Sequence, residues 1–362
     1  MPTFDIIKET KPKKTFRVAS VIGKFDLQSE HIIEQFKGSI DIDDNWQIGL
    51  IVGKSGTGKT TIAKQLFPQS YITNFEYNKE TVLDDMPESC SVEQITSAFN
   101  SVGFSSPPSW LKPYSVLSNG QKMRVDLANA ILSDKELFVF DEFTSVVDRN
   151  VAQIGSFAMQ KAIRKTNKKF IAVTCHFDVE DWLLPDWVFD TDTMTFRKCE
   201  GQKKNRPDIK FEIFSTNDKT IWKMFAKHHY LSHTHNNAAN VYIATINDNI
   251  AGFLSVLHLP HPKVKNVKKV HRLVILPDYQ GAGFGIKFMN IIGEIYIKNK
   301  FRFTIRTSAP SLINGLKKSN NWRCVHFGRE GAHQGSLKRN VGNLSSGSEN
   351  RITAAFELKT MA

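Results

Sequence analysis

Gly53-Lys54-Ser55-Gly56-Thr57-Gly58-Lys59-Thr60 has the spacing GxxxxGK[ST] and follows the apolar run "IGLIV" (48–52). A glycine-rich turn between a strand and a helix aims backbone N–H groups at one point, where a phosphate is held. The expected ligand is ATP, cradled by Gly53, Ser55, Gly56, Gly58, Lys59, Thr60 and Thr61. Lys59 reaches the β/γ oxygens and Thr60 holds Mg²⁺. The run "LFVFDE" (137–142) supplies two carboxylates at a strand end. Asp141 is placed to hold Mg²⁺ through water, and Glu142 to polarise the attacking water.

A second glycine-rich loop lies more than 200 residues further on, at Gln280-Gly281-Ala282-Gly283-Phe284-Gly285. A dinucleotide-binding turn would need an early strand–loop–helix and an acidic residue about 20 positions later. This loop instead follows two antiparallel strands, and no such acid is in place. A third cluster, "KHHYLSH" (227–233), crowds His228, His229, Tyr230, Ser232 and His233 together. His271 and Arg272 lie on the strand before the second loop, where alternation aims one of them into a cleft.

These groups must be positioned by two kinds of framework. Up to residue 198, the apolar runs "QIGLIVG", "ELFVFDE" and "KFIAVTC" alternate with helical stretches, which predicts a parallel sheet buried on both faces. Residues 199–207 are polar and charged and read as a linker. From 208 onward, "VYIATINDNIAGFLSVLHL" predicts two strands turning at Asn247–Asn249, and "KKVHRLVIL" a third. Phe284, Phe288, Ile291, Ile292 and Ile295 mark an amphipathic helix that starts at the second loop. Strands "FRFTIRT" and "ITAAFEL" follow, and residues 328–350, rich in Gly, Ser and Asn, read as a mobile loop.

Charge divides the chain in the same place. The net charge is +12, yet residues 1–199 sum to −3 and residues 200–362 to +15. The whole basic excess sits in the second part, so an anionic partner, nucleic acid foremost, is expected there. Lys263, Lys265, Lys268 and Lys269 form a run with His261, either a solvated hairpin or a phosphate contact. The cysteines at 90, 175, 199 and 324 are scattered, which fits a reducing cytoplasm and no cysteine zinc site. No apolar run approaches the roughly 18–20 residues of a membrane helix.

Two further elements place the first region. "LSNGQ" (117–121), with Ser118 and Gly120, resembles the LSGGQ signature of ABC ATPases, and "SVVD" ending at Asp148 resembles their D-loop. His176, after "FIAVTC", fits their switch histidine. This resemblance, over about residues 15–196, implies an ABC-type α/β domain that forms an ATP-dependent homodimer. In that family the signature of one subunit completes the ATP site of the other. Asn119 replaces a glycine, and no Q-loop glutamine stands between the loop and the signature, so a soluble ATPase is implied rather than a transporter subunit.

The second loop, within "HRLVILPDYQGAGFGIKFM", resembles Q/R-x-x-G-x-G/A of the GNAT acyltransferases. The resemblance covers roughly residues 208–358. It implies an α+β domain with a mostly antiparallel mixed sheet. In that family Gln280 to Gly285 bind the pyrophosphate of acetyl-CoA or another acyl-CoA, and Leu273, Val274 and Ile275 align the pantetheine. The family's usual tyrosine acid is missing from "APSLINGLKKSNNW" (309–322), where Leu316 stands nearest its place. The HY-S stretch in "KHHYLSH" is similar to that of the phage Mu Mom protein, a GNAT-like enzyme that modifies adenine in DNA. This implies a nucleic-acid base as acceptor, with Tyr230, His229 and Ser232 as catalytic candidates, and a phage-encoded protein acting in its host's cytoplasm. Acylation of tRNA or of protein, and a non-catalytic CoA-sensing ATPase, are the alternatives.

Overall fold

The computed structural model describes residues 3–11, 13, 15–25, 32–72, 75–199, 209–229, 234–260, 264–329 and 352–359. In chain order, β1 (Thr3–Thr10), α1 (Phe16–Phe25), β2 (Ile32–Ser39), β3 (Ile48–Val52), α2 (Lys59–Leu66) and β4 (Tyr71–Ile72) come first. Then come α3 (Val92–Ser101), α4 (Pro107–Trp110), α5 (Asn119–Leu132), β5 (Leu137–Phe140), α6 (Arg149–Ile163) and β6 (Lys169–Thr174). The next are α7 (Val179–Leu183), β7 (Trp187–Asp190), β8 (Thr195–Lys198), β9 (Phe211–Thr216), α8 (Trp222–Ala226) and β10 (Asn240–Ile246). The chain ends with β11 (Asn249–Leu259), β12 (Val267–Ile275), α9 (Phe284–Lys298), β13 (Arg302–Thr307), α10 (Pro310–Lys317), β14 (Trp322–Arg329) and β15 (Ile352–Leu358). One compact unit comprises Met1–Glu76, Ser133–Asp148 and Met159–Pro207; the other comprises Tyr77–Leu132, Arg149–Ala158 and Asp208–Ala362.

The first unit holds a six-stranded sheet in the order β4-β5-β6-β3-β7-β8. All its pairs are parallel except β7–β8. β3 is buried at every position, as a continuous apolar strand requires. Asp186 fixes the start of β3: it accepts the N–H groups of Gln47 (2.8 Å) and Ile48 (3.0 Å) and pairs with both Arg164 amino groups at 2.7 and 2.8 Å. The predicted parallel sheet is thus present. The antiparallel β1–β2 pair, whose strands flank α1 in sequence, and the antiparallel edge strand β8 were not legible, because their charged sequences carry no continuous apolar run.

The second unit is built on a seven-stranded sheet, β14-β15-β13-β12-β11-β10-β9. The hairpin predicted at Asn247–Asn249 is there, with Asn247 and Asp248 both at positive φ (48° and 64°), as a tight two-residue turn demands. Within this sheet, β12 and β13 form the one parallel pair among the described strands, and only through Val267–Lys269 and Arg302–Thr304. Beyond those residues the two strands part. Strand β14 takes in Gly328 and Arg329, which correct the start of the loop expected over 328–350; its remainder lies outside the described residues, as does the linker beyond Cys199. Phe288, Ile292, Phe303, Leu316 and Phe356 form the apolar centre against which α9 and α10 pack.

The helical segment of this unit has its own polar centre. Tyr77 and Tyr114 stack at 4.0 Å and donate to Asp126 on α5 at 2.7 and 2.9 Å. Burial raises the Asp126 pKa to about 6, against those two hydrogen bonds, which favour the charged form. A raised acid pKa means the folded state binds the proton more tightly than the unfolded chain. The buried charge therefore weakens the fold above pH 6, and the penalty fades as the pH falls from 6 towards 4. Asp126→Asn should melt above the wild type at pH 8 by roughly 2–5 °C, with the gap closing by about pH 4.5. Thermal melts of both proteins across that range check this.

Candidate functional site

In the first unit, β5, β6 and β3 are adjacent and parallel, so their carboxyl ends share one edge. The first glycine loop, the Asp141-Glu142 pair and His176 follow these three strands. Gly58 caps α2 at φ 85°, and a Cβ there would meet the Phe36 ring at 2.5 Å. That position is closed to other residues both by conformation and by space. Lys54 N–H donates to Asp192 (2.7 Å) and Thr57 Oγ1 meets Thr191 Oγ1 (2.6 Å), which ties the loop down. Lys59 is buried, and its amino group donates to the Lys54 carbonyl at 2.6 Å, inside the curl of the loop.

Thr60 Oγ1 donates to Asp141 Oδ2 at 2.8 Å, and the Tyr71 hydroxyl donates to the same oxygen. Burial, together with the Asp141 carboxylate, pushes the Tyr71 pKa upward, so the phenol keeps its proton. A hydroxyl beside a carboxylate is a hard-oxygen pair of the kind Mg²⁺ takes. Glu142 is exposed, with φ 52°, and its N–H donates to Asp141 Oδ1 at 2.9 Å. A non-glycine residue in that region is strained by about 1–3 kcal/mol. His176 N–H donates to Thr174 Oγ1 at 3.2 Å. Ser55 and Gly56 lie in the loop, Thr61 in the first turn of α2, and Asp148 just before α6. The donor set fits ATP with Mg²⁺.

In the second unit, Ser118 and Gln121 cap α5 reciprocally: Ser118 Oγ accepts Gln121 N–H at 3.3 Å, and Gln121 Oε1 accepts Ser118 N–H at 3.1 Å. Gly120 is buried in the first turn. The second glycine loop leads into α9, whose cap Gly283 sits at φ 95°. The first N–H groups of α9 have no partner within the helix, so the loop fits a diphosphate. Leu273, Val274 and Ile275 run antiparallel to β11, opposite Leu254, Phe253 and Gly252. The side chains of Phe284 and Ala282 turn inward: Phe284 stacks on Phe211 at 5.5 Å, and Ala282 packs beside it. Only their backbones remain for a ligand.

Where β12 and β13 part, a cavity of about 680 Å³ opens. Lys269, Arg272, Arg306, His229, His258 and His271 line it, and among the described residues no acidic side chain does. The register of β12 against β11 slips between Ser255 and Val256, leaving His271 as an extra residue. This bulge corrects the alternation expected for His271 and Arg272: both line the cavity. His271 Nε2 accepts the Asn236 N–H at 3.2 Å. Burial, with Arg272 next in effect, lowers its pKa to about 4, so the ring is neutral at pH 7. Arg272 donates to the Thr234 carbonyl at 3.2 and 3.0 Å, fixing that segment to the strand.

His229 is buried and edge-on to Trp222 at 5.8 Å. Tyr230 and Ser232 lie outside the described residues, as do His233, His261 and Lys263. Of the lysine run, Lys268 stacks over Phe301 (4.9 Å) and Tyr296 (5.6 Å), while Lys269 faces the cavity. Leu316 is fully buried in the core, so α10 offers no hydroxyl at that place. Arg306 and Asn236 were missed: one of two arginines in "FRFTIRT" and an asparagine in a polar segment give no periodic signal.

Residues 207–307 match the acetyltransferase (GNAT) family. Known relatives include a putative ABC transporter ATP-binding protein of Enterococcus faecalis, 25% identical over 39% of this chain and 31% of that protein. A probable ATP-binding cassette sub-family F member 3 homolog of Encephalitozoon cuniculi is 29% identical over 28% of this chain and 19% of that one. The energy-coupling factor transporter ATP-binding protein EcfA of Malacoplasma penetrans is 24% identical over 58% and 81%. The chain thus spans about a third of the first relative and a fifth of the second. Among solved structures, a dimeric bacterial ABC transporter cassette aligns at a TM-score of 0.38 and 14% identity, over 54% of this chain and 100% of that one. No helix among the described residues is long and apolar enough to cross a membrane. Residues 207–307 thus match the acetyltransferase (GNAT) family, and the chain is similar in sequence to ATP-binding cassette proteins.

Lys59→Met should lower ATP affinity at least ~10-fold, because a charge-assisted contact to phosphate is lost. The melting temperature without nucleotide should stay within about 2 °C, since the amino group holds a loop carbonyl rather than the core. Calorimetric titration and a thermal melt check both outcomes.

Proposed function

We propose that the protein transfers an acyl group from acyl-CoA to nucleic acid, with a base of DNA as acceptor. Its ABC-type region, taken as residues 1–198, controls the transfer as an ATP-dependent homodimer. The acyltransferase region is taken as residues 208–362. The cavity where β12 and β13 part carries this reading: three cationic side chains and three histidines line it, with no carboxylate among the described residues. Such a wall attracts a polyanion and repels a protonated lysine or small amine. The net +15 of residues 200–362 acts in the same direction. The likeness of "KHHYLSH" to the phage Mu Mom protein supports a base as the group modified, and a phage setting.

Bound acyl-CoA supplies an activated thioester, and bound ATP with Mg²⁺ supplies the nucleotide to which the ABC-type region responds. In this reading the backbone N–H groups from Gly281 to Gly285 hold the diphosphate, and Leu273–Ile275 order the chain leading from it. The acceptor's amino nitrogen would bond to the acyl carbon as the C–S bond breaks, and His229 would pass the proton it takes from that nitrogen to the departing CoA thiolate, with Tyr230 and Ser232 as its neighbours in sequence. Arg306 and Lys269 hold the acceptor's phosphates. A base inside a duplex must be flipped out, at a few kcal/mol. Closure of an ATP-bound dimer on the DNA offers a source for that work. Glu142 polarises the water that later resets the ATP site, with His176 sensing the terminal phosphate.

Purified protein with acyl-labelled acyl-CoA and a mixture of duplex DNA, tRNA and protein, with and without ATP and Mg²⁺, tests the proposal. ATP-dependent label on a deoxynucleoside is expected. Label on tRNA or protein would replace the acceptor. ATP hydrolysis with no label anywhere would favour a CoA-sensing ATPase, the reading that the buried Leu316 supports. His229→Gln should lower transfer by about 10²–10⁴-fold while leaving CoA binding intact. Arg306→Ala should weaken DNA binding and reduce its salt slope by about 1. Rate assays and binding curves at several salt concentrations read these effects.

A further inference from the structure

Helix α5 begins at the "LSNGQ" sequence, and its second turn carries Arg124, whose side chain is 1% exposed. Its Nη1 and Nη2 donate to the carbonyl oxygens of Pro277 (3.0 Å) and Asp278 (2.7 Å), the residues that open the second glycine loop. The nearest carboxylate, that of Asp278, is half exposed and 3.7 Å away, and Arg124 Nε has no partner among the described residues. Burial lowers its pKa to about 10, which still leaves the guanidinium charged at pH 7. Burying such a charge is costly, and a leucine or methionine would fill the space more favourably. The residue is explained by what it holds.

Other contacts grip the same loop from the same side. Gln280 Oε1 accepts Ser105 N–H at 3.0 Å, while its Nε2 donates to the Ile275 carbonyl at 2.8 Å. Gly103 and Gly281 meet backbone to backbone: a Cβ on Gly281 would lie 2.7 Å from Gly103 Cα, and one on Gly103 2.5 Å from the Gln280 carbonyl oxygen. Both glycines have φ near 87° (86° and 88°), so each contact point is specified twice. The back of the loop is thus fixed to the end of α3 and to α5, and the start of α9 is left for a ligand.

We propose that Arg124 is a positioning residue that makes the phosphate-binding loop of the acetyltransferase domain an extension of α5, so that nucleotide engagement at the "LSNGQ" end changes acyl-CoA affinity. The inference rests on reading residues 281–285 as the CoA loop and "LSNGQ" as a nucleotide-contacting signature. The planar two-pronged hold fixes both distance and angle, which lysine does not reproduce. Coupling of this kind is reciprocal: each ligand alters the other's affinity by the same factor.

Titration calorimetry of the full chain with CoA, with and without a non-hydrolysable ATP analogue and Mg²⁺, tests this. In the wild type the analogue should change CoA affinity by about 5-fold or more, and CoA should change the analogue's affinity equally. In Arg124→Lys the coupling factor should fall towards 1, while the analogue alone binds as before. Equal coupling in both proteins, or none in the wild type, overturns the proposal. Deuterium exchange of the wild-type amides over 276–290 serves should the variant not fold: altered protection on adding the analogue supports the coupling, and unaltered protection overturns it. A wild type that binds no CoA, yet shows altered protection, refutes the CoA reading and leaves the mechanical link standing.

Discussion

The first N–H groups of any α-helix lack partners inside it, and this chain twice leads into such a helix start with a glycine-rich loop. At α2 and at α9 the cap residue is a glycine in the left-handed region, Gly58 and Gly283. Such a cap brings the preceding loop round in front of the helix rather than alongside it. Everything around each loop serves to hold this turn. Asp192, Thr191 and Phe36 do so for the first, and Gln280, Gly103 and Arg124 for the second. In the proposed function one electrostatic device serves two ligands, with specificity left to the neighbours.

Those neighbours differ in a way that follows from sheet topology. In the first unit, parallel strands bring a lysine, a threonine and two acidic residues to one edge, a setting for a metal-bound triphosphate. In the second, β12 and β13 pair over three residues and then separate. The gap exposes side chains that a continuous sheet would bury, and the bulge at His271 turns two successive residues into it. Arg272, Arg306 and Lys269 then make the opening cationic. Separation of the strands creates the cavity in which the proposed function places its acceptor.

Much of this was legible in the sequence. Both loops, the Asp141-Glu142 pair and the Asn247–Asp248 turn are local features, written in glycine spacing and apolar runs. The parallel sheet and the amphipathic helix α9 follow from periodicity. What was not legible depends on distant partners. Strand β14, "WRCVHFGR", alternates poorly and gains its place from pairing with β15. Arg124 reads as one more charge on a helix whose neighbours in sequence are polar, and nothing local says that it is buried. The bulge at His271 is set by the register of β11, so strict alternation assigned one residue to the cleft where the fold places two.

The meeting of Gly103 with Gly281 also has a temporal side. Residues 77–132 leave the ribosome long before the loop that completes their packing. At about 5–20 residues per second, the interval is roughly 10–30 s. Through that interval Arg124 has no carbonyls to bind, and Ile154 lacks the partners Ile246, Ala251 and Phe284 that cover it in the finished unit. The segment must wait, partly solvated, while a different unit forms from the chain on either side of it. Nascent protein is therefore most vulnerable to proteases and to association with other chains within this helical stretch, although in the finished molecule its core is among the best buried.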